Sequence, residues 1–425
     1  MKDLIRYRRE FHKYAETSWN EVRTSARIAE ILEKSGVETV LTGEEVIDTD
    51  TIKPPVQLSR DIRDSNMERA LLQGALPGYV RRGDGIPGVI GVIDTGRPGP
   101  VWALRFDIDA LPYDEDMSVS HRPAADGFAS VNAGAVHACG HDGHAAIGIG
   151  LADLILSRRE DFRGRIKLIF QPAEETFFGA ASIVNRGHLD DADLFAAVHL
   201  ALSAENEPLP SHSLACAVND FLSVRQLDIT FHGKAAHPCG AAQEGRNALL
   251  AACAASLALH CIPPHEKGLT RVNVGRINGG LCSNTIADEC SISLEYRGQF
   301  PEISDYLQKR VFEILDGTSA AYGVKYTYTD YGQLPAARSS AEAGAAVREA
   351  SRSVPWFETV WTEGNLGGSD DASVMMNHVQ KHGGKAVYMG IGCDTSAPLH
   401  NASFDFDEDC LKASVLLLGE MIRQS

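Results

Sequence analysis

Residues 222–334 carry hydrophobic patterns in the order strand, helix, strand, strand, helix, strand, which is the order of the split βαβ unit. The predicted elements are strand 222–232, helix 247–260, strands 271–277 and 289–297, helix 303–321 and strand 325–334. We therefore predict a separate, ferredoxin-like domain at 216–335. This domain is inserted into a larger one that is formed by 1–215 and 336–425.

The larger domain is predicted to be an α/β fold. Its predicted strands are 89–94, 101–109, 165–170, 195–201 and 385–392, and its predicted helices include 21–35, 145–156, 340–351, 371–381 and 407–424. A polar segment at 41–88 contains a predicted helix at 57–72 but no chemical motif. We interpret this segment as an insertion that could wall a pocket.

The composition excludes several classes of partner. With 40 basic and 57 acidic residues the formal charge is -17, whereas nucleic acid or an anionic membrane would favour a basic face. The chain starts with charged residues where a signal peptide would be apolar, and it has no apolar run of about 18 residues. Nine scattered cysteines without a CxxC pair predict reduced thiols in the cytoplasm. All of them except Cys139 are predicted to be small buried apolar residues.

Residues 137–144 gather three imidazoles, a thiol and a carboxylate on a glycine-rich loop. In an extended backbone, the side chains of Cys139 and His141 would share one face. A thiolate beside an imidazole suits zinc, or manganese if carboxylates join them. From this loop alone, a hydrogen-bonded polar cluster without a metal is an equally good interpretation.

Two pairs of carboxylates follow predicted strands. Glu174 and Glu175 come after the apolar strand 165–170, so one could ligate a metal while the other faces its bound water. An exposed acidic turn is the alternative interpretation. Asp107 and Asp109 end the strand 101–109, and they could either form a turn or orient a ligand histidine.

Two further histidines extend the pattern, since His199 lies in an apolar strand and His400 in a loop. With Cys139, His141 and Glu175 they make five candidate ligands, each at the end of a sheet element or beside one. Five ligands are enough for two bridged divalent ions, with positions left for water and substrate.

These residues lie in motifs that resemble those of the amidohydrolase branch of the M20 metallopeptidases. The motifs are Asp107-Ile-Asp109-Ala-Leu-Pro112, His137-Ala-Cys139-Gly-His141-Asp-Gly-His144, Phe170-Gln-Pro-Ala-Glu174-Glu175, Ala197-Val-His199 and Leu399-His400-Asn401. The resemblance implies a zinc-peptidase-like α/β catalytic domain with an inserted dimerisation or lid domain. It also implies that Glu174 is the general base and that the metal ligands are Cys139, His141, Glu175, His199 and His400.

The resemblance extends to the inserted domain. His237 matches a lid histidine that steadies the oxyanion in the active site of the partner subunit. Asn284 and Arg297 match positions that hold the carboxylate end of the substrate. The chain departs from the family pattern at Thr176, where glycine is usual, and at Ala287, where proline is usual. Residues 367–371 are interpreted as a pocket loop and helix cap.

Four further segments, 94–101, 119–123, 126–130 and 404–408, resemble the subgroup of this branch that hydrolyses p-aminobenzoyl-glutamate. The implied function is a metal-dependent amidohydrolase of N-acyl or N-aroyl amino acids, with cleavage of p-aminobenzoyl-glutamate to p-aminobenzoate and glutamate favoured. The alternatives are a broader aminoacylase or dipeptidase and a non-catalytic partner subunit. The implied cofactors are two divalent ions, Mn²⁺ or Zn²⁺. A homodimer is expected, with a homologous second subunit as a further option.

Overall fold

A computed structural model describes residues 3–52 and 58–425. The chain forms two units, of which unit 1 consists of Met1–Asn219 and Ala337–Ser425, and unit 2 of Asp220–Ala336. The sequence predicts these divisions after residues 215 and 335. The two divisions of the structure therefore lie close to those expected from the sequence.

The described residues form fourteen strands and twelve α-helices. The strands are β1 (Thr39–Thr42), β2 (Val89–Asp94), β3 (Val101–Asp107), β4 (Arg165–Gln171), β5 (Leu194–Leu200), β6 (Ser203–Ala204), β7 (Glu207–Pro208), β8 (Ser213–Ala215), β9 (Ser223–His232), β10 (Thr270–Gly279), β11 (Glu289–Gly298), β12 (Lys325–Leu334), β13 (Thr359–Trp361) and β14 (Lys385–Ile391). The helices are α1 (Leu4–Lys13), α2 (Val22–Ser35), α3 (Arg60–Leu72), α4 (Pro77–Gly83), α5 (Arg122–Ala125), α6 (His141–Ser157), α7 (Gly179–Asn185), α8 (Ala248–His260), α9 (Pro301–Tyr322), α10 (Ala341–Ser351), α11 (Ala372–Lys381) and α12 (Cys410–Gln424).

Unit 1 is built on a mixed sheet with the strand order β1-β2-β4-β3-β5-β14-β8-β13. The four strands β4, β3, β5 and β14 are parallel to one another, whereas β1, β2 and β8 each pair antiparallel with a neighbour. Parallel strands end at one edge of a sheet, and functional groups of α/β folds gather there. The predicted α/β fold class is confirmed.

Helix α6 lies in the hydrophobic core of unit 1, together with apolar residues of the sheet and of α2 and α12. Its glycines allow the close approach, because a Cβ at Gly148 would lie 2.6 Å from Phe170 and 2.7 Å from Phe106. This packing places the first residue of α6, His141, at the edge of the sheet where the parallel strands end.

The segment 41–88 contains more helix than the sequence predicted. The predicted helix 57–72 corresponds to α3, while residues 53–57 lie outside the described residues. The short helix α4 was not predicted. A small apolar cluster links both helices to α2, and its buried members are Val22, Ala26, Ala70, Ala75 and Val80.

Unit 2 has a four-stranded antiparallel sheet in the order β10-β11-β9-β12. Helices α8 and α9 share one hydrophobic core with the buried side chains of this sheet. This is the predicted βαββαβ arrangement, and each predicted element overlaps an observed one. No helix in residues 3–52 or 58–425 has both the length and the apolar character needed to cross a lipid bilayer.

Candidate metal centre

The five predicted ligands lie near the edge of the unit 1 sheet where β3, β4, β5 and β14 end. Their donor atoms form two groups, and within each group the atoms lie within 4.8 Å of one another. One group consists of Cys139, His141 and His199, and the other of Cys139, Glu175 and His400. The structure therefore brings all five residues together, with the Cys139 sulfur common to both groups.

The backbone around Cys139 is not extended, which was the condition under which the side chains of Cys139 and His141 would share one face. Gly140 adopts a left-handed conformation (φ 84°) and His141 already begins α6. A glycine is suited to this position because it has no Cβ to oppose a positive φ. His400 also has a positive φ of 63°, and its backbone N–H donates to the Ala138 carbonyl oxygen at 2.8 Å. This bond joins the loop of the last ligand to the loop of the first.

Hydrogen bonds orient the two buried histidines among the candidate ligands. The His141 Nδ1 donates to the Asp109 carbonyl oxygen at 2.9 Å, and the His199 Nδ1 donates to the Leu200 carbonyl oxygen at 2.7 Å. Each ring therefore presents its Nε2 lone pair to the centre, and the His199 Nε2 lies 3.6 Å from the Cys139 sulfur. Such outer contacts fix the tautomer of a metal-binding histidine.

Several donor atoms at the centre lack a partner. Among the described residues, the buried His141 Nε2 and Glu175 Oε1 accept or donate no hydrogen bond. Buried polar atoms are rarely left in this state. The mixture of sulfur, nitrogen and oxygen donors suits a borderline divalent ion such as zinc, and it also suits manganese. The residues present therefore fit a metal centre.

His144 belongs to the same motif but has no free nitrogen. Its Nδ1 donates to the Asp107 carboxylate, and its Nε2 accepts the backbone N–H of Leu200 at 3.0 Å. Burial lowers the pKa of His144 although Asp107 opposes the effect, which agrees with a neutral ring. His144 thus supports the strand end that carries His199.

The two aspartates after β3 have separate contacts. The Asp109 carboxylate accepts from the Ser18 hydroxyl at 2.7 Å and from the backbone N–H of Glu175 at 3.0 Å. Asp107 accepts from His144 and from the Arg105 Nη1 at 2.5 Å. Both carboxylates are buried, so these contacts favour the orienting interpretation over an exposed turn.

Glu174 and Glu175 occupy a turn, as expected for adjacent glutamates that follow a strand. The turn begins at Ala173, which has a positive φ of 57°. The Glu174 carboxylate lies within 4.8 Å of Asp370 and Asp371, and in another group within 4.8 Å of His141 and Glu175. Glu174 is therefore close to the candidate ligands but belongs to neither group that contains Cys139.

A buried arginine network that the sequence did not predict lies beside Glu174. Arg105 donates to Asp370 at 3.0 Å, to Asp371 at 3.1 Å and to the Gln171 side-chain oxygen at 2.9 Å. The Tyr388 hydroxyl donates to Asp370 at 2.6 Å. The segment 367–371, interpreted from the sequence as a loop and cap, thus also supplies carboxylates to the surroundings of Glu174. The one signal in the sequence that could have indicated this network is Arg105, a charged residue within an otherwise apolar predicted strand.

Negative charge exceeds positive charge at this centre. The carboxylates belong to Asp107, Asp109, Glu174, Glu175, Asp370 and Asp371, and the guanidinium to Arg105. Burial raises the pKa of Glu174 well above its usual value, and Asp370 adds to this effect. Burial also raises the pKa of Glu175 to about 7, although His141 opposes it. Divalent cations would compensate this excess of negative charge.

The profile of the peptidase family M20/M25/M40 matches residues 103–424. The chain belongs to this family. This M20 enzyme is 39% identical over 425 residues to the indole-3-acetyl-aspartic acid hydrolase of Enterobacter agglomerans, covering 99% of the chain and 95% of the relative. It is also 39% identical over 418 residues to one of the subunits of the p-aminobenzoyl-glutamate hydrolase of Escherichia coli (strain K12), covering 98% and 94%. The assignment as a hydrolase is confirmed.

Solved structures agree with this assignment. The aminobenzoyl-glutamate utilization protein of Klebsiella pneumoniae has a TM-score of 0.79 to the M20 enzyme and 33% identity, covering 99% of this chain and 95% of that one. The YXEP protein of Bacillus subtilis, described as a dinuclear metal-binding peptidase of the M20 family, has a TM-score of 0.71 and 24% identity, covering 99% and 97%. The second likeness concerns the fold alone.

The three residues predicted to contact the substrate lie in unit 2 of the M20 enzyme. The His237 Nδ1 accepts the backbone N–H groups of Cys239 at 3.2 Å and Gly240 at 3.0 Å. The ring proton therefore resides on Nε2, which can donate a hydrogen bond. Asn284 is exposed between β10 and β11. Arg297 in β11 donates to Glu295 through Nε at 2.8 Å and Nη2 at 3.1 Å.

The predicted burial of the other cysteines is wrong for half of them. All nine cysteines are free, and four are exposed: Cys239, Cys253, Cys261 and Cys282. These four lie in unit 2, on α8 and in loops, where a small residue faces outward without cost. A cysteine that does not lie in a clear hydrophobic pattern therefore cannot be predicted from the sequence to be buried or exposed.

Proposed function

We propose that this M20 enzyme hydrolyses the amide bond between an acyl or aroyl group and an acidic amino acid, with p-aminobenzoyl-glutamate as the favoured substrate. The observation that carries the proposal is the convergence of two ligand groups beside Glu174, which belongs to neither group that contains Cys139. The substrate is suggested by two relatives, one named for an acyl-aspartate and one for an aroyl-glutamate.

Two divalent ions would be held by the two groups. Cys139, His141 and His199 would hold one ion, and Cys139, Glu175 and His400 the other. The donor set suits either Mn²⁺ or Zn²⁺. When bound, the ions would lower the pKa of a coordinated water toward about 7 and polarise the scissile carbonyl.

Glu174 would act as the general base and then as the general acid of the reaction. Its carboxylate would accept a proton from the attacking water and return it to the nitrogen of the leaving amino acid. Burial, together with the neighbouring Asp370, raises the pKa of Glu174 and so favours its protonated form after the first step. The Nε2–H of His237, fixed by the two backbone donors at Nδ1, would donate to the developing oxyanion.

The first experiment measures release of glutamate from p-aminobenzoyl-glutamate by the wild type and by Glu174→Gln, with Mn²⁺ or Zn²⁺ supplied. We expect the variant to lose about 10²- to 10⁴-fold in kcat, the range typical of a general base. Its metal content should equal that of the wild type. Equal rates for the two proteins would disprove the mechanism, and absence of turnover in both would favour the non-catalytic partner subunit.

The second candidate substrate is indole-3-acetyl-aspartate, because one relative with 39% identity carries that name. The two substrates, together with N-acetyl amino acids and dipeptides, should be compared by kcat/KM. A preference for p-aminobenzoyl-glutamate supports the main proposal. Similar values across the panel would support the broader aminoacylase or dipeptidase.

We propose that unit 2 is a dimerisation or lid domain and that His237 serves the active site of a partner subunit. One relative is named as a single subunit of its hydrolase, so a homologous second subunit is the alternative to a homodimer. His237→Ala should turn over slowly with normal metal content. Mixing His237→Ala with Glu174→Gln should restore part of the activity if the histidine acts across subunits. Nine free cysteines favour a reducing compartment such as the cytoplasm.

A further inference from the structure

The turn that carries Glu174 has a strained backbone. Ala173, directly before Glu174, has a φ of 57°, and Phe177, at the other end of the turn, has a φ of 67°. A residue other than glycine rarely adopts such angles, because its Cβ comes too close to the backbone. Residues of this kind persist only where the surrounding contacts hold them in place. The contacts of the turn therefore determine where the Glu174 carboxylate lies.

Two buried carboxyl groups hold the turn through its backbone. The Oε1 atom of Glu21 accepts the N–H of Ala173 at 2.8 Å, and the Oδ2 atom of Asp109 accepts the N–H of Glu175 at 3.0 Å. Both Glu21 and Asp109 are buried. The backbone is thus fixed on each side of Glu174 by a residue from outside the turn.

Glu21 reaches the turn because it does not cap its own helix. It is the N-cap residue of α2, yet its side chain makes no capping hydrogen bond. The Glu16 carboxylate takes that place, since it accepts the backbone N–H groups of Arg23 at 3.2 Å and Thr24 at 2.8 Å. Two N–H groups that lack partners within the helix are thereby satisfied. The Glu21 carboxyl group is consequently available to Ala173.

The contact with Ala173 does not require a charge on Glu21. The Oε2 atom of Glu21 is buried and has no hydrogen-bond partner among the described residues. Burial raises the pKa of Glu21 well above its usual value, and the Asp109 carboxylate adds to this effect. The uncharged carboxyl group is therefore favoured, and its carbonyl oxygen still accepts the Ala173 N–H. A glutamine side chain has the same length and the same acceptor.

We propose that Glu21 is a positioning residue, which holds the backbone at Ala173 and thereby directs the Glu174 carboxylate toward the candidate metal centre. The proposal rests on the proposed function, in which Glu174 is the general base. Glu21 contacts neither substrate nor metal ion in this role. A misplacement of about 1 Å can cost about 10²-fold in rate. Loss of this anchor should therefore slow the reaction without weakening substrate binding.

Two substitutions of similar size separate the acceptor from the charge. Glu21→Met removes the acceptor, and Glu21→Gln keeps it. We expect Glu21→Met to lower kcat for p-aminobenzoyl-glutamate roughly 10- to 100-fold, with KM changed by less than about threefold. Glu21→Gln should have nearly the wild-type kcat. Wild-type kcat in Glu21→Met, or an equal loss in both variants, would overturn the proposal.

Glu16→Met is the matched control, because it also removes a buried carboxylate at the start of α2. Among the described residues, the Glu16 carboxylate accepts hydrogen bonds from Arg23, Thr24 and Arg69. Both methionine variants should unfold at a lower denaturant concentration than the wild type, but only Glu21→Met should lose kcat. An equal loss of kcat in the two would assign the effect to general destabilisation and overturn the proposal.

Hydrogen exchange of the Mn²⁺-loaded enzyme measures the hold on the turn without turnover. Exchange in peptides that cover 172–178 should be roughly 10-fold faster in Glu21→Met than in the wild type, and unchanged in Glu21→Gln. Metal content should stay the same, because Asp109 still holds the backbone of Glu175. Unchanged exchange in Glu21→Met would overturn the proposal. So would faster exchange in an active enzyme whose kcat is unaffected.

The two measurements distinguish this inference from the proposed function. If the wild type cleaves no acyl amino acid, the proposed function fails, and the exchange rates alone decide whether Glu21 holds the turn. If Glu21→Met does not fold, Glu21→Asp replaces it. Aspartate is shorter by one methylene, which withdraws the acceptor from Ala173, so kcat and exchange should change in the same directions.

Discussion

Cys139 connects the two halves of the candidate metal centre through one sulfur atom. The sulfur belongs to the group with His141 and His199 and to the group with Glu175 and His400. Burial raises the pKa of the Cys139 thiol well above its usual value. The thiol therefore stays protonated until a cation replaces the proton. Loading of both sites is expected to depend on this one residue.

Cys139→Ala should lose both metal ions, whereas His199→Ala should lose one. The physical reason is that alanine removes a donor shared by both groups, while His199 contributes to a single group. Metal content per chain, measured by mass spectrometry after gel filtration, distinguishes the two variants. Circular dichroism checks that both remain folded. A Cys139→Ala protein that keeps a full equivalent at either site would contradict the shared role.

Individual site residues were predictable where a short motif carried them. Cys139 and His141 lie two positions apart, and Glu174 and Glu175 are adjacent, so local spacing identified them. Arg105 and Asp370 are 265 positions apart yet hydrogen bonded, and no local pattern connects them. Glu295 and Arg297 are two positions apart in one strand, so their side chains share a face, but their hydrogen bonds also depend on side-chain rotamers that no sequence pattern predicts.

Helix α6 can pack closely against the sheet because Gly148 has no side chain. The space at Gly148 is filled by the rings of Phe106 and Phe170, which are buried in the core. An added methyl group would have to displace rings that have little freedom to move. Glycine at this position lowers the helix propensity of α6, but it allows the helix to approach the sheet closely.

Gly148→Ala should destabilise unit 1 by about 1–3 kcal/mol, the usual cost of overpacking. Gly317→Ala is the control, since a Cβ at Gly317 on α9 would meet nothing within 4 Å. There the better helix propensity of alanine should stabilise unit 2 by about 0.5–1 kcal/mol. Denaturant unfolding of each variant against the wild type measures both effects. Equal shifts in the two variants would show that packing at Gly148 has no influence.

The longer elements followed from hydrophobic periodicity, and the shorter ones did not. Strands β9 and β12 and helix α9 were predicted within a few residues, because ten or more positions define a period. Strands β8 and β13 have three residues each, which is too short to show a period. β8 is formed through pairing with β13 and with β14, and β13 through pairing with β8.

At the scale of the whole molecule, Arg8 joins parts of unit 1 that are distant in sequence. The guanidinium forms ion pairs with Asp142 at 2.7 Å, Asp405 at 2.7 Å and Glu408 at 3.2 Å, and all four side chains are buried. Burial acts to raise the pKa of Asp142, but Arg8 and a hydrogen bond from His12 outweigh it, so the pKa is lowered. The pKa of Asp405 is lowered as well.

Arg8→Met should destabilise unit 1 by about 3–5 kcal/mol at pH 7, because it leaves a buried carboxylate without its cation. Without the Arg8 cation, burial raises the pKa of these carboxylates in the folded variant above the unfolded value of about 3.9, so at pH 4 they take up protons and the uncompensated buried charge is removed. The penalty should therefore be smaller at pH 4 than at pH 7. Denaturant midpoints at both pH values measure it.

The control for this prediction is Arg6→Met. Arg6 pairs with Asp3 at 2.9 Å, and 57% of the Arg6 side chain is exposed. A surface pair of this kind contributes at most about 1 kcal/mol, so the variant should differ little from the wild type at either pH. An Arg8→Met penalty that is the same at pH 4 and pH 7 would exclude an electrostatic origin.

The insertion of β9 to β12 between β8 and β14 also determines the order in which the protein can assemble during synthesis. The ribosome releases all residues of unit 2 before it has made β14, the strand that fills the place between β5 and β8. Domains generally fold as units while the chain emerges. Unit 2 begins later in the chain than unit 1 but is completed first, and the candidate metal centre that includes His400 is complete only after residue 400 has been translated.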